Sequence, residues 1–219
     1  MEQAAVAFQF QARYFRLGEL TATTRQLWVA LHGYGQLAQY FSRKLEAVVP
    51  HGVCVLVPEG LSRFYLEDVH TRSQGGSQRV GASWMTRENR EMDIANYLNY
   101  LDTIFQKETQ HLSSIPPVTV LGFSQGAATA TRWVMHQSVN VDRLILWAGL
   151  LPHDMNFDEG KKLLASKQVI HVYGTDDPFV TDSRFSEMKV LAGRLAEVPT
   201  IIRFDGKHEL HEPTLLSLV

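Results

Sequence analysis

Short, almost uninterrupted apolar runs recur along the chain from residue 26 onward, and each closes on small or polar residues. They are "QLWVALHG" (26–33), "VCVLVPEG" (53–60), "VTVLGF" (118–123), "RLILWAG" (143–149), "QVIHVYG" (168–174) and "TIIRFDG" (200–206). Runs of this length without polar alternation predict strands covered on both faces. Between them the apolar spacing lengthens to a helical period. Leu37, Phe41, Leu45 and Val48 fall on one helical face, as do Ile94, Leu98, Leu101 and Phe105, with Thr86 as the expected N-cap of the second stretch. A third such face follows Asp182, through Phe185, Met188, Leu191 and Leu195. Strands separated by helices imply right-handed crossovers and a mostly parallel sheet with helices on both faces. The first 25 residues instead predict an antiparallel hairpin at one edge of that sheet.

Residues 60–84, "GLSRFYLEDVHTRSQGGSQRVGASW", break the rhythm. Connections this long inside compact domains are functional or disordered. Phe64, Tyr65 and Trp84 argue against disorder, so the segment is expected to be a substrate-side loop or lid. No repeat, low-complexity tract or linker-like stretch divides the chain, and a single domain over residues 1–219 is expected.

Ligands of an open parallel sheet bind beyond the carboxyl ends of its strands. At those ends stand His32-Gly33-Tyr34-Gly35-Gln36, Gly122-Phe123-Ser124-Gln125-Gly126, Gly174-Thr175-Asp176-Asp177-Pro178 and Asp205-Gly206-Lys207-His208. A serine, a carboxylate and a histidine in that chain order are the parts of a nucleophilic triad. A serine hydroxyl is a poor nucleophile at neutral pH and needs a neighbouring imidazole to take its proton. A sharp strand–turn–helix elbow presents its Oγ clear of the backbone, and the flanking glycines let neighbouring chain approach. The helix N-terminus that follows favours a developing oxyanion. The N–H of Gln125 is the first expected donor, and that of Tyr34, on the turn after the neighbouring strand, the second.

The blocks "LHGYGQ", "LGFSQGAA", "YGTDDPFV" and "DGKHEL", with "GASWMTRENRE" ahead of the second long helix, resemble the carboxylesterase, lysophospholipase and acyl-protein thioesterase group of the α/β-hydrolase superfamily over about residues 26–211. The resemblance implies an α/β-hydrolase fold, with Ser124 as nucleophile, Asp177 rather than Asp176 as the carboxylate that orients the base, and His208 as general base. It maps the oxyanion donors to Tyr34 and Gln125. Phe123 and Trp84 are expected to supply apolar bulk against an acyl chain, with the rest of the pocket wall drawn largely from 60–84 and 150–165.

Composition narrows the reading little further. With 21 Lys and Arg against 23 Asp and Glu, the net charge is −2, and no basic run points to nucleic acid or to an anionic membrane surface. No apolar stretch is long enough for a signal peptide or a bilayer span, so a cytoplasmic protein without stable membrane insertion is expected. The single cysteine, Cys54, reads as a small hydrophobe in a buried strand. The histidines of "HELHE" (208–212) are three apart rather than four, so no metal site is expected there. His32 is expected to shape the oxyanion turn through a structural hydrogen bond, and His51, His70, His111, His136, His153 and His171 are read as surface or packing residues. The expectation is a cofactor-free serine hydrolase acting on small-molecule or lipid esters or thioesters, with acyl-proteins as a further substrate class. The alternatives are a non-catalytic binding protein on the same fold, and acyl transfer or perhydrolysis on the same three side chains. Oligomeric state is left open.

Overall fold

The computed structural model describes residues 2–195 and 199–219. In chain order the elements are β1 (Tyr14–Leu17), β2 (Gln26–Leu31), α1 (Ala38–Arg43), a 3-10 turn (Glu46–His51), β3 (Val53–Pro58), β4 (Ser62–Tyr65), α2 (Val69–Ser73), β5 (Val80–Ser83), α3 (Arg90–Thr109), β6 (Val118–Phe123) and α4 (Gln125–Met135). There follow β7 (Arg143–Trp147), α5 (Phe157–Leu164), β8 (Gln168–Gly174), α6 (Asp182–Ala192), β9 (Thr200–Phe204) and α7 (Glu212–Leu216). Seven strands form one sheet in the order β1-β3-β2-β6-β7-β8-β9, parallel throughout except for β1.

Strand alternation explains how the apolar runs serve two cores at once. Leu27, Val29 and Leu31 of β2, Val118 and Val120 of β6, and Leu144 and Leu146 of β7 pack toward α3, α4 and α5. Trp28 and Ala30, Leu121 and Phe123, and Ile145 and Trp147 point the other way, toward Phe41 of α1, Leu45, Val48 and Leu215 of α7. Each central strand is therefore buried on both faces, which is why its sequence reads as a continuous hydrophobic run.

The edge of the sheet is antiparallel, as expected, but it is one strand and not a hairpin. β1 pairs with β3, Tyr14 opposite Pro58 and Leu17 opposite Val55, and β2 lies on the far side of β3. The Arg13 guanidinium, which donates two hydrogen bonds to the buried carboxylate of Glu59 at 2.7 and 2.9 Å, fastens this strand beyond the end of β3. Cys54 is buried within β3, and burial pushes its thiol up to about 11.

Two local expectations are corrected. Thr86 does not cap α3; its Oγ1 accepts from Glu88 N in a tight turn, and the helix begins after Asn89, which turns the chain at φ 47°. The 60–84 segment, expected as a substrate-side loop or lid, carries regular structure of its own. β4 and β5 pair antiparallel, Ser62 opposite Ser83 and Tyr65 opposite Val80, with α2 across the connection. The Asp68 carboxylate caps α2 by accepting from Thr71 N at 2.9 Å.

From β2 the chain steps outward to β3 and later returns to β6 on the other flank of β2. The carboxyl ends of β2 and β6 thus diverge at the point where strand order reverses, which opens a crevice in a parallel sheet.

Candidate active site

Ser124 occupies the elbow between β6 and α4 with φ 54° and ψ −115°, a conformation that side-chain-bearing residues seldom adopt. The turn is held by hydrogen bonds from Ser124 N to Trp147 O (2.8 Å) and from Ala127 N to Ser124 O (3.0 Å). Close backbone approach requires its glycines. A Cβ on Gly126 would fall 2.2 Å from Leu31 O, and one on Gly122 would fall 2.2 Å from Gly126 O. The first turn of α4 is therefore pressed directly onto the ends of β2 and β6.

His208 follows β9, and its Nδ1–H donates to Asp177 Oδ2 at 2.7 Å. Asp177 is 5% exposed, and its other oxygen accepts from Phe179 N at 2.8 Å, so both carboxylate oxygens have partners. Neighbouring Asp176 is exposed, its N–H taken by Gly206 O, which separates the two candidate carboxylates by position. The His208 ring lies between Phe123 (4.8 Å) and Phe179 (4.7 Å), which limits its rotation. Ser124 and His208 line the same cavity, without a hydrogen bond between them among the described residues. Such contacts commonly tighten only around a bound substrate.

The turn after β2 is closed on itself and on β5. Gly33 N donates to the Gln36 side chain (2.9 Å), Gln36 N to Gly33 O, and Gly35 N to Ala82 O. The N–H of Tyr34 is left with no protein acceptor among the described residues. That of Gln125, first in α4, has no intrahelical partner by geometry. His32 is fully buried and doubly bonded, with Nδ1 at 2.8 Å from Gly33 O and Nε2 accepting from Gly60 N at 2.9 Å. That fixes the tautomer with hydrogen on Nδ1, and burial lowers the pKa, so the ring braces the turn in its neutral form.

Phe123 and Trp84 do not line the cavity. Phe123 points from β6 to the opposite face from the elbow and packs under Gly33. Trp84 is 1% exposed and donates from Nε1 to His32 O at 2.8 Å, so it supports the turn from beneath. No residue of 60–84 reaches the cavity wall, and this segment instead meets the outer side of the turn after β2, where Phe64 packs on Tyr34 at 5.1 Å. The Gln125 side chain has a part its sequence position did not suggest. Its amide accepts from Trp84 N and donates to Met85 O, tying α4 to the end of β5.

The cavity beside Ser124 measures about 530 Å³ and is walled by 148–154, by 179–188 and by the side of α4. Its rim holds an ion cluster with no local signature, since its members come from α3, α4 and the 148–156 loop. Asp154 accepts from Arg90 (2.5 Å) and Arg132 (2.7 Å). Partial burial opposes ionisation of Asp154, yet these hydrogen bonds outweigh it and hold the carboxyl down at about 2. A depressed carboxyl stabilises the fold above its ordinary value of 3.8, and that contribution is lost as pH falls from there through about 2. Asp154→Asn should therefore flatten this part of the acid-unfolding curve, read by fluorescence, while lowering stability by a constant amount at neutral pH, where the contribution of the carboxylate is fully present.

Among the described residues no group of three or more His, Cys, Asp or Glu is placed to hold a metal ion, and no helix is long and apolar enough to cross a membrane.

A family model described as "Serine hydrolase (FSH1)" matches residues 22–213. No curated protein matches by sequence. Among solved structures, acyl-protein thioesterase 2 of Zea mays is similar with a TM-score of 0.69 at 16% identity, over 95% of this chain and 96% of that one. A carboxylesterase of Bacillus cereus gives 0.65 at 19% identity, over 94% and 91%. Esterase PE8 gives 0.64 at 17% identity, over 95% and 96%. At such identities these likenesses carry the fold.

Proposed function

Given that the chain belongs to the serine hydrolase (FSH1) family and has the α/β-hydrolase fold, we propose that it cleaves carboxylic esters or thioesters through an acyl-enzyme on Ser124. Ser124 Oγ attacks the acyl carbonyl while His208 Nε2 takes its proton. Asp177 holds the imidazole by Nδ1–H and stabilises the cation that forms. The backbone N–H groups of Tyr34 and Gln125 stabilise the oxyanion. His208 returns the proton to the leaving alcohol or thiol, and water, activated by the same imidazole, releases the acid. No cofactor enters these steps.

One observation carries the reading. The buried Asp177 engages Nδ1 of His208, which leaves Nε2 as the basic nitrogen in the cavity that Ser124 also lines. A cavity of this size takes a drug-sized group, which suits a small-molecule or lipid ester.

Labelling by a fluorophosphonate probe tests the proposal, with the adduct expected on Ser124 by peptide mass spectrometry. A panel of p-nitrophenyl esters of increasing chain length, with one acyl-CoA and one acyl-peptide, then sorts ester from thioester and small molecule from acyl-protein. A folded protein that neither takes the probe nor turns over any ester is a binding module on this fold. Product analysis with added alcohol or peroxide shows whether water is the preferred acceptor.

A further inference from the structure

β8 runs along the cavity floor, and alternation sends Val169, His171 and Tyr173 to the same face, toward α4 and α6. Both His171 and Tyr173 line the cavity beside Ser124. His171 is 1% exposed and Tyr173 7%. Neither imidazole nitrogen of His171 and not the phenol oxygen of Tyr173 has a protein hydrogen-bond partner among the described residues. Buried polar groups in native proteins are otherwise nearly always paired, and an orphan is costly to keep. Two orphans, two residues apart on one strand face and bordering one cavity, call for a ligand-side explanation.

The surroundings say what kind of ligand group fits. Leu146, Leu151, Val172 and Met188 are the apolar part of the lining, and the arginines on the cavity wall are engaged, Arg90 and Arg132 with Asp154 and Arg184 with Glu187. A charged substituent would meet no free counter-charge among these groups and would have to shed its water. Burial pushes His171 down to about 4, so it remains uncharged at neutral pH, with one nitrogen donating and one accepting. A phenol likewise both donates and accepts.

We infer that His171 and Tyr173 are specificity-determining residues which select, in the part of the substrate entering this cavity, an uncharged oxygen function such as a ketone or hydroxyl over a plain alkyl chain. The inference rests on the ester-cleaving role proposed for Ser124 and adds the substituent class of its substrate. Sites built to hydrogen-bond a substrate oxygen reject the analogue lacking it, because their own polar groups are then left unpaired.

The experiment compares kcat/KM for p-nitrophenyl 4-oxopentanoate, 5-oxohexanoate and 6-oxoheptanoate with the matched alkanoates. A mirror series carries the ketone on the alcohol side of acetate esters. At least one oxo ester is expected to exceed its alkyl partner by about tenfold or more. That ratio should fall to about one in His171→Leu and be partly kept in His171→Gln. His171→Leu should also melt no lower than the parent, because it replaces orphaned nitrogens with an apolar group of similar size. Ratios near one across both series in the parent, or a ratio unaltered by His171→Leu, overturn the inference while the esterase reading stands. A preference for the hemisuccinate over these esters overturns the uncharged character of the ligand group. Failure to cleave any ester of either series removes the esterase reading, and this inference with it.

Discussion

Ser124→Ala is expected to lower kcat on any accepted ester by about 10⁴-fold or more while leaving the fold intact. The hydroxyl is the group to which the acyl chain is bonded in the proposed mechanism, and the cavity offers no second nucleophile beside the oxyanion donors. Because the elbow is set by backbone contacts, with Ser124 N on Trp147 O and Ala127 N on Ser124 O, removing Oγ should not disturb it. His208→Ala should cost a comparable amount, since an alcohol without its base is nearly inert at neutral pH. The double variant should be little worse than either single one if the three side chains act as a unit, as the proposed mechanism requires. Additive losses would show that the two residues work in separate steps. Ser124→Gly supplies the control for strain. It should be equally inactive yet more resistant to denaturant by about 1 kcal/mol, as relief of a φ of 54° on a non-glycine residue allows.

Gly126→Ala, like Gly122→Ala, should be among the most damaging single-methyl changes in the protein. Its Cβ would lie 2.2 Å from Leu31 O and 2.7 Å from His32 O, both backbone atoms that cannot swing aside. Either α4 lifts from the sheet or the end of β2 is displaced, and overpacking of this kind costs about 3 kcal/mol or more. The loss should appear in the denaturation midpoint. Activity should fall beyond what stability explains, because Leu31 and His32 lead directly into the turn that carries the Tyr34 N–H. Gly75→Ala is the matched comparison. Unlike Gly126 it has a positive φ, 78°, but nothing lies within 4 Å of its added methyl, so only about 1 kcal/mol of backbone strain is expected. Equal effects at the two glycines would show that backbone contact is not what makes residue 126 intolerant.

The parts of the molecule that could be read from sequence are those whose information is local. β6 and β8 begin and end where their apolar runs do, at Val118–Phe123 and Gln168–Gly174, because strands buried on both faces leave few polar positions to blur the limits. Ser124, Asp177, His208 and the turn at Tyr34 could be placed because each directly follows such a strand and is marked by adjacent glycines. The β4–β5 pair escaped notice since "SRFY" is mostly exposed and "VGAS" is only four residues long, neither an apolar run. Phe123 misled for a reason of geometry. Next to Ser124 in sequence, it leaves the strand on the other face, so adjacency in the chain placed it away from the pocket. His171 misled in the opposite direction. In the middle of an apolar run a histidine looks like a packing residue, and only the fold reveals that its face of β8 borders the cavity. Asp154 with Arg90 and Arg132 joins segments far apart in the chain, and nothing local announces such a cluster.

The sulfhydryl inside β3 has a bearing on how this protein can be handled. Alkylating agents and peroxides attack the ionised sulfur, and a group held near 11 is ionised at neutral pH to the extent of only on the order of one part in 10⁴. Iodoacetamide or mild oxidant should therefore leave turnover untouched. A cysteine introduced at an open position such as Val69 would then be the one place where a dye attaches, with the native thiol left in place.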